Sequence, residues 1–178
     1  MDRKTYEKYR QKALDYYERA GIVLTDREKE ALEIADFGLN DLDRFGLQLV
    51  TYINTSRVCA KEMVLFPWQI CPEHRHPPFG DYPGKEETFR VRFGCVYLVV
   101  PGEPTGHVRP EPEDKRGCFT AHHEVRLGPG EQYTIALNTP HWFYAGEEGA
   151  VVSEFSTPSF DEQDIFTDAE IIRKPNVE

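Results

Sequence analysis

The sequence predicts an all-β domain, a sandwich or closed barrel, with N-terminal helices packed outside it. From Leu47 onward, short apolar or alternating runs recur between turns, and about eight of them have the length and composition typical of strands. No helical pattern separates these runs, so an alternating β-α-β fold is disfavoured. Helical periodicity is instead confined to the beginning of the chain.

Two helices are predicted before the first long strand. In "TYEKYRQKALDYYERAG" the apolar side chains recur with helical spacing, and the pattern ends at Gly21. Thr25 and Glu28 fit a capping box, so a second helix is predicted to begin there and to end near Gly38. We therefore expect residues 1–45 to form a helical extension.

The remaining residues divide into a barrel and a tail within one domain. At 178 residues and 39% hydrophobic composition, the chain is long enough for a single core. Residues 46–157 hold the predicted strands. Residues 158–178 show little periodicity and are expected to lie over the barrel surface, which leaves Asp161, Glu162 and Asp164 exposed.

Composition and charge argue against several classes of partner. The 31 acidic and 21 basic residues give a formal net charge of -10, which repels nucleic acid and anionic membranes. No apolar run approaches the roughly 20 residues of a membrane-spanning helix, and the N-terminus lacks the apolar core of a signal peptide. The four cysteines are widely spaced, as in proteins with free thiols. We expect a cytoplasmic protein.

The stretch "EHRHPPFGDYPGKEE" carries the main chemical signal. Side chains at positions i and i+2 of a strand point to one face, so His74 and His76 can bind one metal ion. Glu87 opens the alternating strand "ETFRVRFG" on the face of Phe89, Val91 and Phe93, where an unpaired carboxylate would be costly.

A fourth candidate, His141, follows the turn residues of "NTP". Three imidazoles and one carboxylate favour a divalent transition metal over a closed tetrahedral zinc site. Three other histidines are expected to have structural or surface roles: His107, His122 and His123.

These segments resemble the two motifs of the cupin superfamily, G-x5-H-x-H-x3-4-E-x6-G and G-x5-P-x-G-x2-H-x3-N. His74, His76, Glu87 and Gly94 match the first, and Gly130 and His141 match the second. The sequence departs from the pattern in the ten residues between His76 and Glu87 and at Ala136, Asn138 and Ala145.

The insert, together with "KEMVLFP" and "TPHWFYAGEEGAVVSEFS", is similar to the small cupin sugar isomerases of the D-lyxose isomerase type. This resemblance implies a cupin-type β-barrel, also called a double-stranded β-helix or jelly roll. It implies a metal held by His74, His76, Glu87 and His141, and a homodimer. It further implies interconversion of D-lyxose with D-xylulose, and of D-mannose with D-fructose, through an enediol intermediate.

The chemistry of aldose–ketose isomerisation identifies further candidates. Mn²⁺ suits the donor set, with Zn²⁺, Co²⁺, Ni²⁺ and Fe²⁺ as alternatives. Glu154 shares a strand face with Val152 and Ser156 after His141, so it is the predicted base that moves the proton between C2 and C1. Lys61 is the second catalytic candidate, and Lys85 and Trp142 are the predicted substrate contacts.

Two other functions fit the same ligands. One is a non-haem iron dioxygenase, and the other is a cupin that binds a carbohydrate without turnover. A phosphosugar isomerase is disfavoured because no cluster of Lys or Arg is visible in this acidic chain. The expected substrate is therefore a small free sugar.

Overall fold

The computed structural model describes residues 1–109 and 111–174, so the end of the predicted tail, residues 175–178, lies outside the described part. In this part of the chain two α-helices precede all nine strands, and two short 3-10 helices lie between strands, one after β5 and one after β8. The elements are α1 Arg3–Arg19, α2 Asp26–Glu30, β1 Glu33–Ala35, β2 Leu47–Asn54, β3 Cys59–Leu65, β4 Ile70–Arg75, β5 Glu87–Val100, a 3-10 helix Glu113–Lys115, β6 His123–Leu127, β7 Gln132–Ile135, β8 His141–Ser156, a 3-10 helix Asp161–Gln163 and β9 Ile165–Phe166.

The strands form one curled, predominantly antiparallel sheet with β8 at its centre. One path through the sheet has the order β1-β2-β3-β8-β4-β9, and β5 pairs with β6, β7 and β8. The second half of β8 pairs with β3 and its first half with β4, while β5 lies along both halves. The predicted all-β class with helices outside the barrel is confirmed.

The first helix ends just before Gly21 as predicted, whereas the second begins at its predicted capping box but ends earlier than predicted. Thr25 and Glu28 form the predicted capping box. Helix α2 nevertheless ends at Glu30, and Glu33–Ala35 form strand β1 against β2 instead of continuing the helix towards Gly38. A helix this short has little stability of its own, whereas strand pairing buries Ile34 and Ala35.

Helix α1 packs on the outer face of the sheet. Its buried residues Tyr9, Ala13, Tyr16 and Tyr17 join an apolar cluster with side chains of the sheet. The Tyr17 hydroxyl donates a 2.7 Å hydrogen bond to the backbone carbonyl of Glu62 in β3. No helix in residues 1–109 and 111–174 has the length and apolar character needed to cross a membrane.

Alternation along the strands builds the barrel interior. Glu87, Phe89 and Val91 of β5 are all buried, as their period-two spacing predicted. Phe93 was expected on the same face, but it packs in the outer cluster with α1. A register shift between Val91 and Phe93 changes the face, because one extra residue in a strand reverses the direction of the next side chains.

The C-terminal segment is part of the barrel wall. Strand β9 pairs antiparallel with β4, with Phe166 opposite His74 and Ile165 opposite Arg75. The prediction that Asp161 and Asp164 are exposed is wrong, since their side chains are only 13% and 7% accessible. Glu162, which lies between them, is exposed as predicted.

Candidate active site

The four predicted metal ligands converge at one end of the barrel interior. Antiparallel pairing sets His74 of β4 directly opposite His141, the first residue of β8. Glu87 is the first residue of β5, and all four side chains are buried. His74, His76 and His141 each offer a donor atom within 4.8 Å of the other two.

Hydrogen bonds fix the orientation of two of the three imidazole rings. Nδ1 of His74 lies 2.9 Å from the carbonyl oxygen of Pro72, and Nδ1 of His141 lies 2.9 Å from that of Thr139. A carbonyl oxygen can only accept, so each Nδ1 carries the proton and donates it. The neutral tautomer then has its lone pair on Nε2, which is the form that binds a metal.

Glu87 lies close to Nε2 of His76 and to Nε2 of His141, at distances that would let the three residues bind the same metal ion. Its Oε1 is 3.2 Å from Nε2 of His76 and 2.9 Å from Nε2 of His141. Metal bonds of about 2.1 Å at right angles put neighbouring donor atoms about 3.0 Å apart. The spacing of these three atoms therefore fits a divalent ion with open coordination positions.

A buried nitrogen without a hydrogen-bond partner supports the same conclusion. Among the described residues, Nε2 of His141 is fully buried and makes no hydrogen bond, although a Glu87 oxygen lies 2.9 Å from it. A buried polar atom left unpaired is costly unless something else satisfies it. A metal ion satisfies such a lone pair, so the donor set fits the divalent ion predicted from the sequence.

The electrostatics of the cluster follow from burial and from neighbouring charges. Burial, together with the adjacent histidines His141 and His76, lowers the pKa of His74 well below its ordinary value. Burial also opposes the charged form of His76, but Glu87 and Asp164 outweigh it and raise the pKa of His76 to about 9. Burial alone would raise the pKa of Glu87, but Lys85 and His76 hold it well below the usual range. The carboxylate of Glu87 is thus kept ionised.

Lys85 joins Glu87 to the predicted base Glu154. Its Nζ lies 2.7 Å from Glu87 Oε2 and 2.5 Å from Glu154 Oε1, and the Lys85 side chain is 3% exposed. Burial disfavours the charged lysine, but the two carboxylates outweigh that effect and raise the pKa of Lys85. The Lys85 side chain therefore connects Glu154, on the interior face of β8, to Glu87, one of the candidate metal ligands.

Lys61 lies beside Glu154 on the neighbouring strand β3 and is anchored by the tail. In the register of β3 and β8 it stands opposite Glu154. Its Nζ lies 2.8 Å from Asp161 Oδ1 and 3.0 Å from Ser159 Oγ. Arg173 lies on the other side of Asp161, with Nη2 at 2.9 Å from Oδ2, and it also contacts Glu33 of β1.

Asp161, Asp164 and Arg173 line the cavity and were missed as site residues by sequence reasoning. They lie in a segment without regular periodicity, where isolated charges usually indicate exposure. The two apolar residues of "DIFTD", Ile165 and Phe166, form β9 and were the available signal of pairing. A two-residue strand is too short to be recognised from alternation.

Comparison with known proteins places the chain among sugar isomerases. No family model matches it. It is 59% identical over 169 residues to a D-lyxose ketol-isomerase of Thermofilum sp. (strain ex4484_79), with 94% of each chain covered. It is 58% identical over 170 residues to a D-lyxose/D-mannose isomerase of Thermosediminibacter oceani, covering 94% of this chain and 93% of the relative. The chain belongs to the D-lyxose ketol-isomerase family.

Solved structures extend the comparison to the fold of this family member. An L-ribose isomerase of Cellulomonas parahominis with L-ribose has a TM-score of 0.77 at 16% identity, covering 96% of this chain and 94% of that one. An L-ribose isomerase of Acinetobacter sp. DL28 in complex with L-ribose has a TM-score of 0.78 at 15% identity, with the same coverage. The fold is therefore the cupin-like barrel expected from the sequence.

In this D-lyxose ketol-isomerase family member, the Trp142 side chain points away from the candidate metal ligands. Successive side chains of a strand alternate in direction, so Trp142 points to the opposite face of β8 from His141. It packs against Phe119, and its Nε1 donates a 3.0 Å hydrogen bond to the carbonyl of Ala121. Trp142 does not line the cavity, in contrast to Lys61, Lys85 and Glu154.

The insert of residues 77–84 contacts the C-terminal segment of the family member beside the metal ligands. The rings of Phe79 and Tyr82 each lie about 5 Å from the ring of Phe160. The Tyr82 hydroxyl donates a 2.5 Å hydrogen bond to the carbonyl of Pro158. A small cavity between the insert and the tail also touches His76 and Lys85.

Proposed function

We propose that this chain is a metal-dependent aldose–ketose isomerase that interconverts D-lyxose and D-xylulose, and D-mannose and D-fructose, through an enediol intermediate. The observation that carries the proposal is the cluster of three buried histidines with Glu87 beside two of them, next to a second buried carboxylate, Glu154, which Lys85 holds in place. The names of the relatives supply the sugars, because both D-lyxose and D-mannose appear in them.

The proposed cofactor is one divalent ion, with Mn²⁺ favoured over Zn²⁺, Co²⁺, Ni²⁺ and Fe²⁺. Its ligands would be His74, His76, Glu87 and His141. Three neutral imidazoles and one carboxylate leave net positive charge at the ion and open coordination positions. When bound, such an ion supplies Lewis acidity to the oxygens on C1 and C2 of the sugar.

Glu154 is the proposed base. Isomerisation moves a proton from C2 to C1, and one carboxylate on a rigid strand can remove it from one carbon and return it to the other. Lys85 gives Glu154 a fixed direction and balances its charge, since the two are 2.5 Å apart and both side chains are buried. Lys61, across the sheet from Glu154, would donate hydrogen bonds to sugar oxygens and assist the proton exchange between O1 and O2.

Charge balance favours a free sugar over a phosphosugar. The cations that line the cavity are Lys61, Lys85 and Arg173, and each already contacts at least one carboxylate. A phosphate group would have to displace those carboxylates, whereas sugar hydroxyls can join the existing hydrogen bonds. A homodimer in the cytosol, with no nucleic-acid or membrane partner, completes the proposal.

A sugar panel with one pair of matched variants tests this function. The metal-free protein is reconstituted with Mn²⁺ and incubated without oxygen with free aldopentoses and aldohexoses, and ketose formation is measured. D-lyxose and D-mannose should be converted. Glu154→Gln should lower kcat by about 10²-fold or more while metal content stays unchanged. Glu147→Gln, at an exposed position on the same strand, should behave like the wild type.

Solvent isotope adds a direct test of the proton transfer. In heavy water, a carboxylate that exchanges with solvent places deuterium at C1 of the ketose, and Glu154→Gln should lose conversion and incorporation together. Binding of sugars without any ketose would contradict the proposal and support a carbohydrate-binding cupin. Oxygen consumption with Fe²⁺ and no isomerisation would support a dioxygenase.

A further inference from the structure

The three candidate histidine ligands differ in what their second ring nitrogen contacts. Nδ1 of His74 and Nδ1 of His141 each bond to a main-chain carbonyl two residues earlier in the chain. Nδ1 of His76 instead lies 2.5 Å from Oδ1 of Asp164, a carboxylate 88 residues away in sequence. Within the described residues, His76 is thus the one member of the trio whose ring is oriented by a charged side chain.

Strand pairing brings this carboxylate to His76. In the antiparallel register of β4 and β9, Phe166 stands opposite His74 and Ile165 opposite Arg75. Continuing the same register puts residue 164 opposite residue 76. The Asp164 side chain is 7% exposed and that of His76 is 8% exposed, so water scarcely competes for this hydrogen bond.

The contact has the arrangement that is known to strengthen imidazole ligands. A carboxylate that accepts the proton of one ring nitrogen fixes the tautomer and the plane of the ring, and it raises the electron density on the other nitrogen. The other nitrogen of His76, Nε2, faces Glu87 Oε1 at 3.2 Å. Asp164 therefore contacts the outer nitrogen of His76, and its charge increases the electron density on the inner nitrogen, Nε2, which faces the other candidate ligands.

We propose that Asp164 is a positioning residue of the metal centre, which directs Nε2 of His76 at the ion and increases its affinity through the carboxylate charge. The inference rests on the proposed function, because it concerns the same centre. It also makes the C-terminal segment, which lies outside the usual motifs of the barrel, a part of the metal site. Loss of such a carboxylate partner typically weakens metal binding about 10- to 100-fold.

Two substitutions at position 164 separate the charge from the hydrogen bond. Asp164→Asn keeps an oxygen that can accept the Nδ1 proton but removes the negative charge. Asp164→Ala removes both. Glu162→Gln is the matched control, because it removes an exposed carboxylate from the 3-10 helix that directly precedes Asp164.

The measurement is the dissociation constant of Mn²⁺ for each metal-free protein, obtained from the electron paramagnetic resonance signal of free Mn²⁺ during titration. Asp164→Asn should raise the constant about 10-fold and Asp164→Ala about 100-fold, with Glu162→Gln within twofold of the wild type. Thermal unfolding of the metal-free proteins should show a folded Asp164→Asn with a melting temperature close to that of the wild type. Unchanged affinity in Asp164→Asn and Asp164→Ala would overturn the assignment.

Asp161→Asn distinguishes ligand positioning from docking of the tail. Asp161 anchors the same segment through Lys61 and Arg173 but does not touch His76. We expect Asp161→Asn to change the Mn²⁺ dissociation constant less than threefold. A loss equal to that of Asp164→Asn would assign the effect to tail docking and overturn the role of Asp164. If the wild type itself binds no equivalent of Mn²⁺, the metal centre of the proposed function fails, which is a different result from an unaffected Asp164 variant.

Discussion

The two ends of the barrel cavity hold their polar side chains in different ways. At the metal-ligand end, imidazole lone pairs and a carboxylate face one another, and Nε2 of His141 has no hydrogen-bond partner. At the tail end, Asp161 contacts both Lys61 and Arg173, and Arg173 also contacts Glu33. Within the described residues, the cation at the first end, Lys85, pairs with carboxylates and leaves the ring nitrogen of His141 without a partner, whereas the other end is already neutralised by its own side chains.

The difference shows which task each end can perform. Buried acceptors that face each other are costly unless a cation joins them, so the metal-ligand end is built to receive one. A complete ion-pair network gains little from a further charge, but its hydrogen bonds can be extended to hydroxyl groups. Lys85 lies between the two ends and links Glu87 of the first to Glu154 of the catalytic proposal.

Removal of a candidate ligand should have the largest effect on activity. His141→Ala takes away the nitrogen that lacks any other partner, so the protein should lose most of its tightly bound metal. Because Lewis acidity contributes several kcal/mol to such a reaction, kcat/KM for D-lyxose should fall by about 10³-fold or more. Metal analysis and ketose formation measure the two effects.

The control for this loss is His122→Ala, which removes an exposed histidine that pairs with Glu111. It should retain metal and activity. If His141→Ala keeps a full equivalent of metal at wild-type affinity, His141 is not a metal ligand and the contrast between the two ends of the cavity is wrong.

Replacing the two buried lysines should affect stability unequally. Lys85→Met leaves the carboxylates of Glu87 and Glu154 buried without their common cation, so the free energy of unfolding should fall by about 3–5 kcal/mol. Lys61→Met leaves Asp161 paired with Arg173, so the expected loss is only about 1–3 kcal/mol. Urea unfolding of the metal-free proteins gives both values.

A double variant checks the reason for this inequality. Adding Glu154→Gln to Lys85→Met removes one of the two buried carboxylates that the first substitution leaves without a cation. The double variant should therefore regain part of the lost free energy of unfolding. Equal losses for the two lysine variants, or no recovery in the double variant, would contradict the account of Lys85 as the link between the ends.

The smallest expected effect concerns the pH dependence of the tail end. Burial opposes ionisation of Asp161, but Lys61 and Arg173 outweigh it and lower its pKa in the folded protein. Such a group contributes stability above its unfolded pKa of about 3.9, and the contribution is lost as pH falls through the folded pKa. Asp161→Asn should therefore be less stable than the wild type by about 1–3 kcal/mol at pH 7, with a smaller difference at about pH 3.

Urea unfolding of the metal-free proteins at several pH values measures this difference. Glu162→Gln should show no comparable pH dependence, because Glu162 is exposed. A gap between Asp161→Asn and the wild type that stays constant from neutral to acidic pH would mean that the Asp161 charge is not stabilised by its partners.

Much of the fold and of the candidate site follows from local sequence pattern. Period-two alternation identified the strands, and the spacing of His74 and His76 placed both rings on one side of β4. The same reasoning directed Glu87 and Glu154 to the interior, where Lys85 now joins them. These predictions succeed because the direction of a side chain in a regular strand depends only on its position along that strand.

Local pattern fails where the direction of a side chain depends on a partner strand. The register shift after Val91 turns the Phe93 side chain to the outer face of the sheet. No residue in "FRVRFG" indicates this shift. Trp142 was expected near the substrate because it follows His141, yet adjacency in a strand puts the two side chains on opposite faces.

The sequence by itself determined the all-β class, the donor set of His74, His76, Glu87 and His141, and the acidic base candidate on β8. The tertiary structure decided that the tail completes the cavity. Asp164 reaches His76 only through the pairing of β9 with β4. Asp161 and Arg173 are largely buried only because Asp161 pairs with both Lys61 and Arg173. The physical reason is that an isolated charge in an irregular segment favours water, and only long-range partners make its burial favourable.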